Sequence, residues 1–294
     1  MAKIKTSAGD KWFDAVNLTL LGLVSAVVLY PLLFVLSASF SNPAALFEGK
    51  VWLFPVGFNV QSYTRVLQDP NIVTGYLNTL LYTTVGTTLN IALTICAAYP
   101  LSRKDFDGRN TLMMLFTFTM FFSGGLIPTY LLIKNLGMIN TIWAIILPNA
   151  VSMWNIIIMR TFFQTIPSEL HESAQIDGSS NIRTLLRIVL PLSMPVIAVM
   201  ILFYGVSHWN AFFNALIYLS DHSKFPLQLI IRQILLQNQM GEMVEATESS
   251  VDQILIAEGI KYAVIVVSSL PVLVLYPFLQ RYFVKGVMIG AIKG

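Results

Sequence analysis

Polar chemistry in this chain is concentrated in one segment. Glu172–Pro195, read ESAQIDGSSNIRTLLRIVLPLSMP, places two acids, two arginines and a glycine between apolar runs that carry almost no charge. Glu172 beside the small Ser173 and Ala174 would let a partner's surface come close and pair with the acid, which is docking chemistry. The competing reading is an amphipathic connection lying on a membrane surface. Pro167 suits the first turn of a helix, Glu169 and Glu172 favour its positive end, and Gly178, after Asp177, is placed to end it in a left-handed conformation. Ser179 or Ser180 can cap a second helix in which Ile182, Leu185, Leu186 and Val189 fall at i, i+3, i+4 and i+7, before Pro191 opens the next apolar run. Two short helices joined at a glycine make an elbow.

A second constellation is SHWNAFFNALIY. On a continuous helix Trp209 and Phe213 lie at i and i+4, as do Asn210 and Asn214, so an aromatic stripe runs beside an amide stripe. Aromatic faces cover the C–H patches of a sugar and amides serve its hydroxyls, although helix packing explains the same residues. Trp143, Asn149, Trp154 and Asn155 add similar groups around Pro148, and Tyr130 and Tyr204 are weaker candidates. Irregular backbone near Pro148 is tolerated at membrane depth only beside a cavity or inside protein.

Catalysis has no such support. The acids sit in loops, Cys96 is the single cysteine, the three histidines are scattered, and no G-x-x-x-x-G-K-[ST] occurs: Gly49–Lys50 is followed by Val51. No catalytic residue, metal site or cofactor is expected in the chain, and no nucleic-acid partner.

The elements that hold these residues follow from composition. With 55% hydrophobic and 11% charged residues and a mean hydropathy of +0.70, the chain reads as an all-α integral membrane protein. Six runs are long enough to cross about 30 Å of hydrocarbon as helices: Phe13–Phe40, Tyr76–Leu101, Thr111–Ile133, Thr141–Phe163, Pro191–Ser220 and Glu258–Gln280. The first is too long for a signal-peptide core and reads as a retained helix. With the N-terminus inside, inner segments hold 12 of the 18 Lys and Arg residues and outer ones 6, so both termini and the elbow are expected in the cytoplasm. A single transmembrane domain, 1–294, is expected, with a coupling loop over about 164–190 and a tail over about 281–294. In the outer connection Asp221–Ala257, the spacing of Ile230, Ile231, Ile234 and Leu235 predicts a short surface helix.

ESAQIDG, followed after nine residues by IVLP, closely resembles the EAA signature of permease subunits of binding-protein-dependent ABC importers. MRTFFQTIPSELHESAQIDG, RIVLPLSMP and the terminal QRYFVKGVMIGAIKG look like the carbohydrate branch, nearest the smaller maltose-type permease. FFSGGLIPTYLLIKNLGM is similar to permeases of complex-oligosaccharide importers. Ser173, Ser179 and Leu185 depart from the usual residues while the acid, glycine and proline stay. The resemblance implies half of a translocation path for a carbohydrate, in a multi-pass protein of a bacterial or archaeal cell membrane. It implies a second homologous permease, an ATPase dimer that holds ATP and Mg, an extracytoplasmic sugar-binding protein and contact with membrane lipid. It assigns ATPase coupling to Glu169, Glu172, Ser173, Ala174, Asp177 and Gly178 and to the tail with Lys293 and Gly294. Two other classes compete. An ion-coupled carrier usually holds ionisable groups inside its spans, where His208 is the main one here; a membrane docking or assembly protein would need no polar path.

Overall fold

The computed structural model describes residues 7–242, 258–275 and 277, and every regular element among them is helical. In chain order these are α1 (Ala8–Ser39), α2 (Pro43–Phe47), α3 (Gln61–Gln68), α4 (Pro70–Ser102), α5 (Arg109–Phe121), α6 (Leu126–Asn135), α7 (Ile142–Ile146), α8 (Met153–Phe163) and α9 (Ser168–Ile176). There follow α10 (Asn181–Thr184), α11 (Leu190–Leu192), α12 (Met194–Trp209), α13 (Phe213–Tyr218), α14 (Leu227–Glu242) and α15 (Glu258–Leu275).

Three helices, α1, α4 and α15, are each long and apolar enough to span a bilayer. Six spans result if each of three bent pairs is one span: α5 with α6, bent by 111°, α7 with α8, by 56°, and the 181–192 arm with α12, by 82°. The expected third span, Thr111–Ile133, is therefore not one straight helix. Phe122 leaves α5 with extended backbone and Gly125 has φ 84°, so the Ser123–Gly125 stretch cannot carry the helix onward. The expected fifth span is interrupted too, because α12 ends at Trp209 and helix resumes only at Phe213.

The described residues form two compact units. One holds 7–69 with 231–242 and 258–269. There Ser7 caps α1 through a reciprocal box with Asp10, and Phe34 packs edge-on against Tyr262 of α15 with centroids 5.8 Å apart. Lys261 donates to Glu258 at 3.1 Å one turn back, so this lysine reaches a carboxylate on its own helix.

The other unit, 70–230 with 270–275 and 277, holds both candidate sites. Its core is Ala98, Leu101, Ile156, Met159, Phe163, Val189, Val196 and Met200, all at most 7% exposed, from α4, α8, the elbow's second arm and α12. α4 turns a file of small and polar side chains inward: Gly75, Thr79, Tyr82, Gly86, Asn90, Thr94 and Ala98, spaced by three or four residues. Small residues let membrane helices approach closely where lipid supplies no hydrophobic drive. Thr79 accepts from the Leu227 amide at 2.8 Å, pinning the start of α14 on α4. The expected outer helix thus exists, but Leu227, Leu229 and Ile230 are buried, so its beginning is core and not surface.

Candidate functional site

The elbow is built from local rules. Pro167 precedes α9 as its N-cap, and Glu169 stands in the first turn. Asp177 is the C-cap, and Gly178 reverses the chain at φ 73°. Nothing lies within 4 Å of where a Cβ would stand on Gly178, so backbone conformation alone asks for glycine there. Ser180, not Ser179, caps the second arm, accepting from the Arg183 amide at 3.3 Å. That arm is not one regular helix: Leu185–Val189 is a π turn between α10 and α11. The wider turn upsets the i, i+7 register, so Val189 is buried while Ile182 and Leu186 stay 70% and 57% exposed.

Glu169, Glu172, Ser173, Asp177 and Gly178 are exposed on the elbow, but Ala174 points inward and is 5% exposed. Ala174 therefore packs inward, on the face of α9 opposite the one that carries Glu172. Ile176, 86% exposed, joins that outer face instead; an exposed isoleucine between acids was the unread signal. Lys293 and Gly294 lie outside the described residues.

The inner face of α9 seats His171 beside Tyr99, with ring centroids 6.2 Å apart, and Tyr99 meets Phe163 edge-on at 6.3 Å. The α4 terminus beneath is held by Arg160, whose Nε donates to the Leu101 carbonyl at 2.9 Å, and by Arg109, which donates to the Arg103 carbonyl at 3.1 Å. Arg103 grips Asp105 with two parallel bonds of 2.9 and 2.8 Å, which hold the Asp105 carboxyl below the usual carboxylate range. Burial, and secondarily the Arg103 charge, push the His171 pKa down, against a smaller opposing pull from Asp105.

A polar cavity of about 440 Å³ lies between α4, the α7–α8 break, α12 and the start of α13. Leu147–Asn149 forms a tight 3-10 turn around Pro148, and Ser152 caps α8 by accepting from the Asn155 amide at 3.5 Å. The irregular backbone expected at Pro148 thus borders a cavity. Asn155, Tyr204 and Asn214 line it, together with Asn90, Asn149, Ser152, Ser207 and His208. Tyr204 is already engaged, sharing a 2.7 Å bond with Thr94, and Asn214 donates to the Ile145 carbonyl at 3.4 Å. The Asn155 side chain is 6% exposed and has no hydrogen-bond partner among the described residues.

The remaining sequence candidates lie elsewhere. Trp209 is buried edge-on against Tyr76 at 5.5 Å and lines an apolar groove of about 480 Å³ with threonines of α4. Asn210 caps α12, donating to the Val206 carbonyl at 3.0 Å and accepting from Gln228. Phe213 is half exposed, Trp154 sits in a shallow groove with Leu202 and Val206, and Tyr130 stacks on Tyr218. Because the helix stops between Trp209 and Phe213, the two i, i+4 stripes do not form. Gly86 was missed as well: a Cβ there would stand 2.6 Å from the His208 ring, so α4 and α12 touch at that point.

Bent helical spans, an acid-faced elbow and an uncharged mid-chain cavity describe a membrane permease subunit. Residues 1–289 match the family described as binding-protein-dependent transport system inner membrane component, and the chain belongs to that family. It is 43% identical to "Protein LplC" of Bacillus subtilis over all of both chains. It is 40% identical to the polygalacturonan/rhamnogalacturonan transport system permease protein YtcP of the same organism, covering 97% of this chain and 99% of that one. A chain of a bacterial ABC transporter involved in the import of the acidic polysaccharide alginate superposes with a TM-score of 0.86 at 32% identity, over 96% of this chain and 100% of that one. The chain is accordingly a non-catalytic ABC importer permease, and ATP hydrolysis belongs to a separate subunit.

Proposed function

We propose that this permease imports an oligosaccharide, forming half of the translocation path and taking its power stroke through the elbow. The observation that carries the coupling assignment is the exposed face of α9, with Glu169, Glu172, Ser173 and Asp177 ending at the left-handed Gly178. An acid on a short rigid helix fits a basic cleft on an ATPase, and the opposite face, through His171 and Tyr99, leads straight to the end of α4. Coupling by the tail, with Lys293 and Gly294, belongs to the same reading on resemblance alone.

The assembly that suits one such chain has a second homologous permease, two ATPase copies holding ATP and Mg, and an extracytoplasmic sugar-binding protein. The whole chain then acts as one transmembrane domain in the cell membrane, with both termini cytoplasmic, as its excess of inner Lys and Arg favours. The sugar assignment draws on the relatives named for polygalacturonan, rhamnogalacturonan and alginate, and on the cavity of amides and hydroxyls. Asn155, Tyr204 and Asn214 are placed to border the path; Trp154, Asn210 and Phe213 are path residues only if a second permease faces them, and Trp209 acts by packing.

The test is Glu172→Lys in the reconstituted complex. Like charge against a basic cleft should abolish most binding-protein-stimulated ATPase activity and weaken ATPase association, while the chain still inserts in the membrane. Full stimulated activity in that variant would remove the elbow from the coupling path.

A further inference from the structure

Resting on the carbohydrate reading above, we propose that the cavity around Asn155 is a subsite that reads sugar hydroxyls and not carboxylates. Charge recognition for an acidic substrate then lies outside this cavity. The argument begins with what borders it: four asparagines, two serines, a tyrosine and a histidine, with no Lys, Arg, Asp or Glu among the described residues. A carboxylate drawn out of bulk water into a partly open cleft of this kind is held selectively only where a cation or several converging donors replace its hydration.

His208 does not fill that role. It lines the cavity, but its Nε2 is buried with no partner among the described residues, and the ring edge bearing it lies against Gly86 of α4. Asn90 offers a carboxylate little, since its amide nitrogen already donates to the Asn149 carbonyl at 3.2 Å and its buried Oδ1, unpartnered among the described residues, can only accept. Asn155 is different. It is more than nine-tenths buried, borders the cavity, and offers an unengaged amide that both donates and accepts. A sugar hydroxyl also donates and accepts, so one amide can meet a hydroxyl in two ways, whereas a carboxylate only accepts. Ser207 faces the cavity from α12 with an exposed hydroxyl of the same double capacity. Asn155 sits one turn beyond the α7–α8 break, so its place is set by the Ser152 cap and not by a mobile loop.

The experiment uses the full importer in proteoliposomes with its binding protein. The probes are oligogalacturonides as free acids and as methyl esters of the same length, with neutral xylo- and malto-oligosaccharides alongside. Asn155→Leu should lower uptake of the acid and its ester by the same factor, about tenfold, because only a hydroxyl contact is lost. The same loss is expected for whichever neutral saccharide is imported. Asn155→Asp should then separate the pair, depressing uptake of the acid well below that of the ester. Thermal unfolding of each purified complex is measured in parallel; should Asn155→Leu fail to assemble, Ser207→Ala must give an equal, smaller loss for acid and ester. A loss confined to the free acid would overturn the proposal, as would unchanged uptake in the assembled Asn155 and Ser207 variants. If the wild-type complex imports none of these saccharides, the carbohydrate assignment itself falls and this subsite with it.

Discussion

Two single residues illustrate how narrowly this fold is tuned. Gly86 is a contact point: a methyl group on it would stand 2.6 Å from His208 Cε1 and Nε2. Gly86→Ala should therefore force the imidazole away from α4 and destabilise the complex by about 1–3 kcal/mol. His208→Ser in the same chain should restore most of that, and the recovery is read as a double-mutant cycle of thermal unfolding. His171 gives a pH signature. Its folded-state pKa lies below its ordinary value, so the unfolded chain binds more protons in the intervening range. Stability is then complete above the ordinary histidine range, about pH 6.5, and is lost as pH falls through it toward the lowered value. His171→Gln should flatten that part of the stability-versus-pH curve, so the wild-type-minus-variant difference rises with pH there; a difference that does not change with pH would show that the imidazole is not confined beside Tyr99. The Asp105 carboxyl acts in the same direction, its depressed pKa supplying stability that is also lost as pH falls, but only in the more acidic range where carboxylates titrate.

Elements were legible in proportion to how local their causes are. The Gly178 elbow could be read because a proline, two acids, a glycine and a capping serine each act within a few residues. The inward turn of Ala174 could not, since it depends on α9 lying against the end of α4 and α8. The break between Trp209 and Phe213 was hidden by an apolar sequence, NAFF, that looks able to continue a helix. The small-and-polar file of α4 was the opposite case, a three-to-four spacing present in the sequence and passed over because every one of its residues is individually unremarkable in a span. Orientation is the prediction at this scale. In a Cys96→Ala background, Gln175→Cys on α9 and His222→Cys in the connection after α13 present exposed single thiols. An impermeant reagent added to cells freed of their outer barrier should label His222→Cys and leave Gln175→Cys untouched. The reverse pattern would place the elbow on the wrong side for an ATPase.

For the molecule as a whole, α1 and α4 represent two ways of living in a bilayer. The most apolar 18-residue window of α1 has a mean hydropathy of 2.4 and no residue in it is buried among the described residues, so most of that surface is open to lipid or to a second permease. Expressed without a second permease, the chain should be degraded faster and unfold at a lower temperature than in the complex, as followed by pulse-chase and thermal unfolding. α4, with a window at 1.4, carries Thr83, Thr87 and Asn90, whose buried oxygens lack full hydrogen bonding among the described residues, while Thr84 and Thr88 bond back to carbonyls of their own helix at 2.8 Å. Its main packing partner, α12, starts at Met194, some ninety residues after α4 ends at Ser102. At a synthesis rate of roughly 5–20 residues per second, the ribosome needs on the order of 5–20 s to make what lies between. During that interval this comparatively polar span must wait at the insertion machinery, or in lipid with its amides and hydroxyls turned on themselves, so the order in which this protein leaves the ribosome is also a schedule of which helix has to be sheltered.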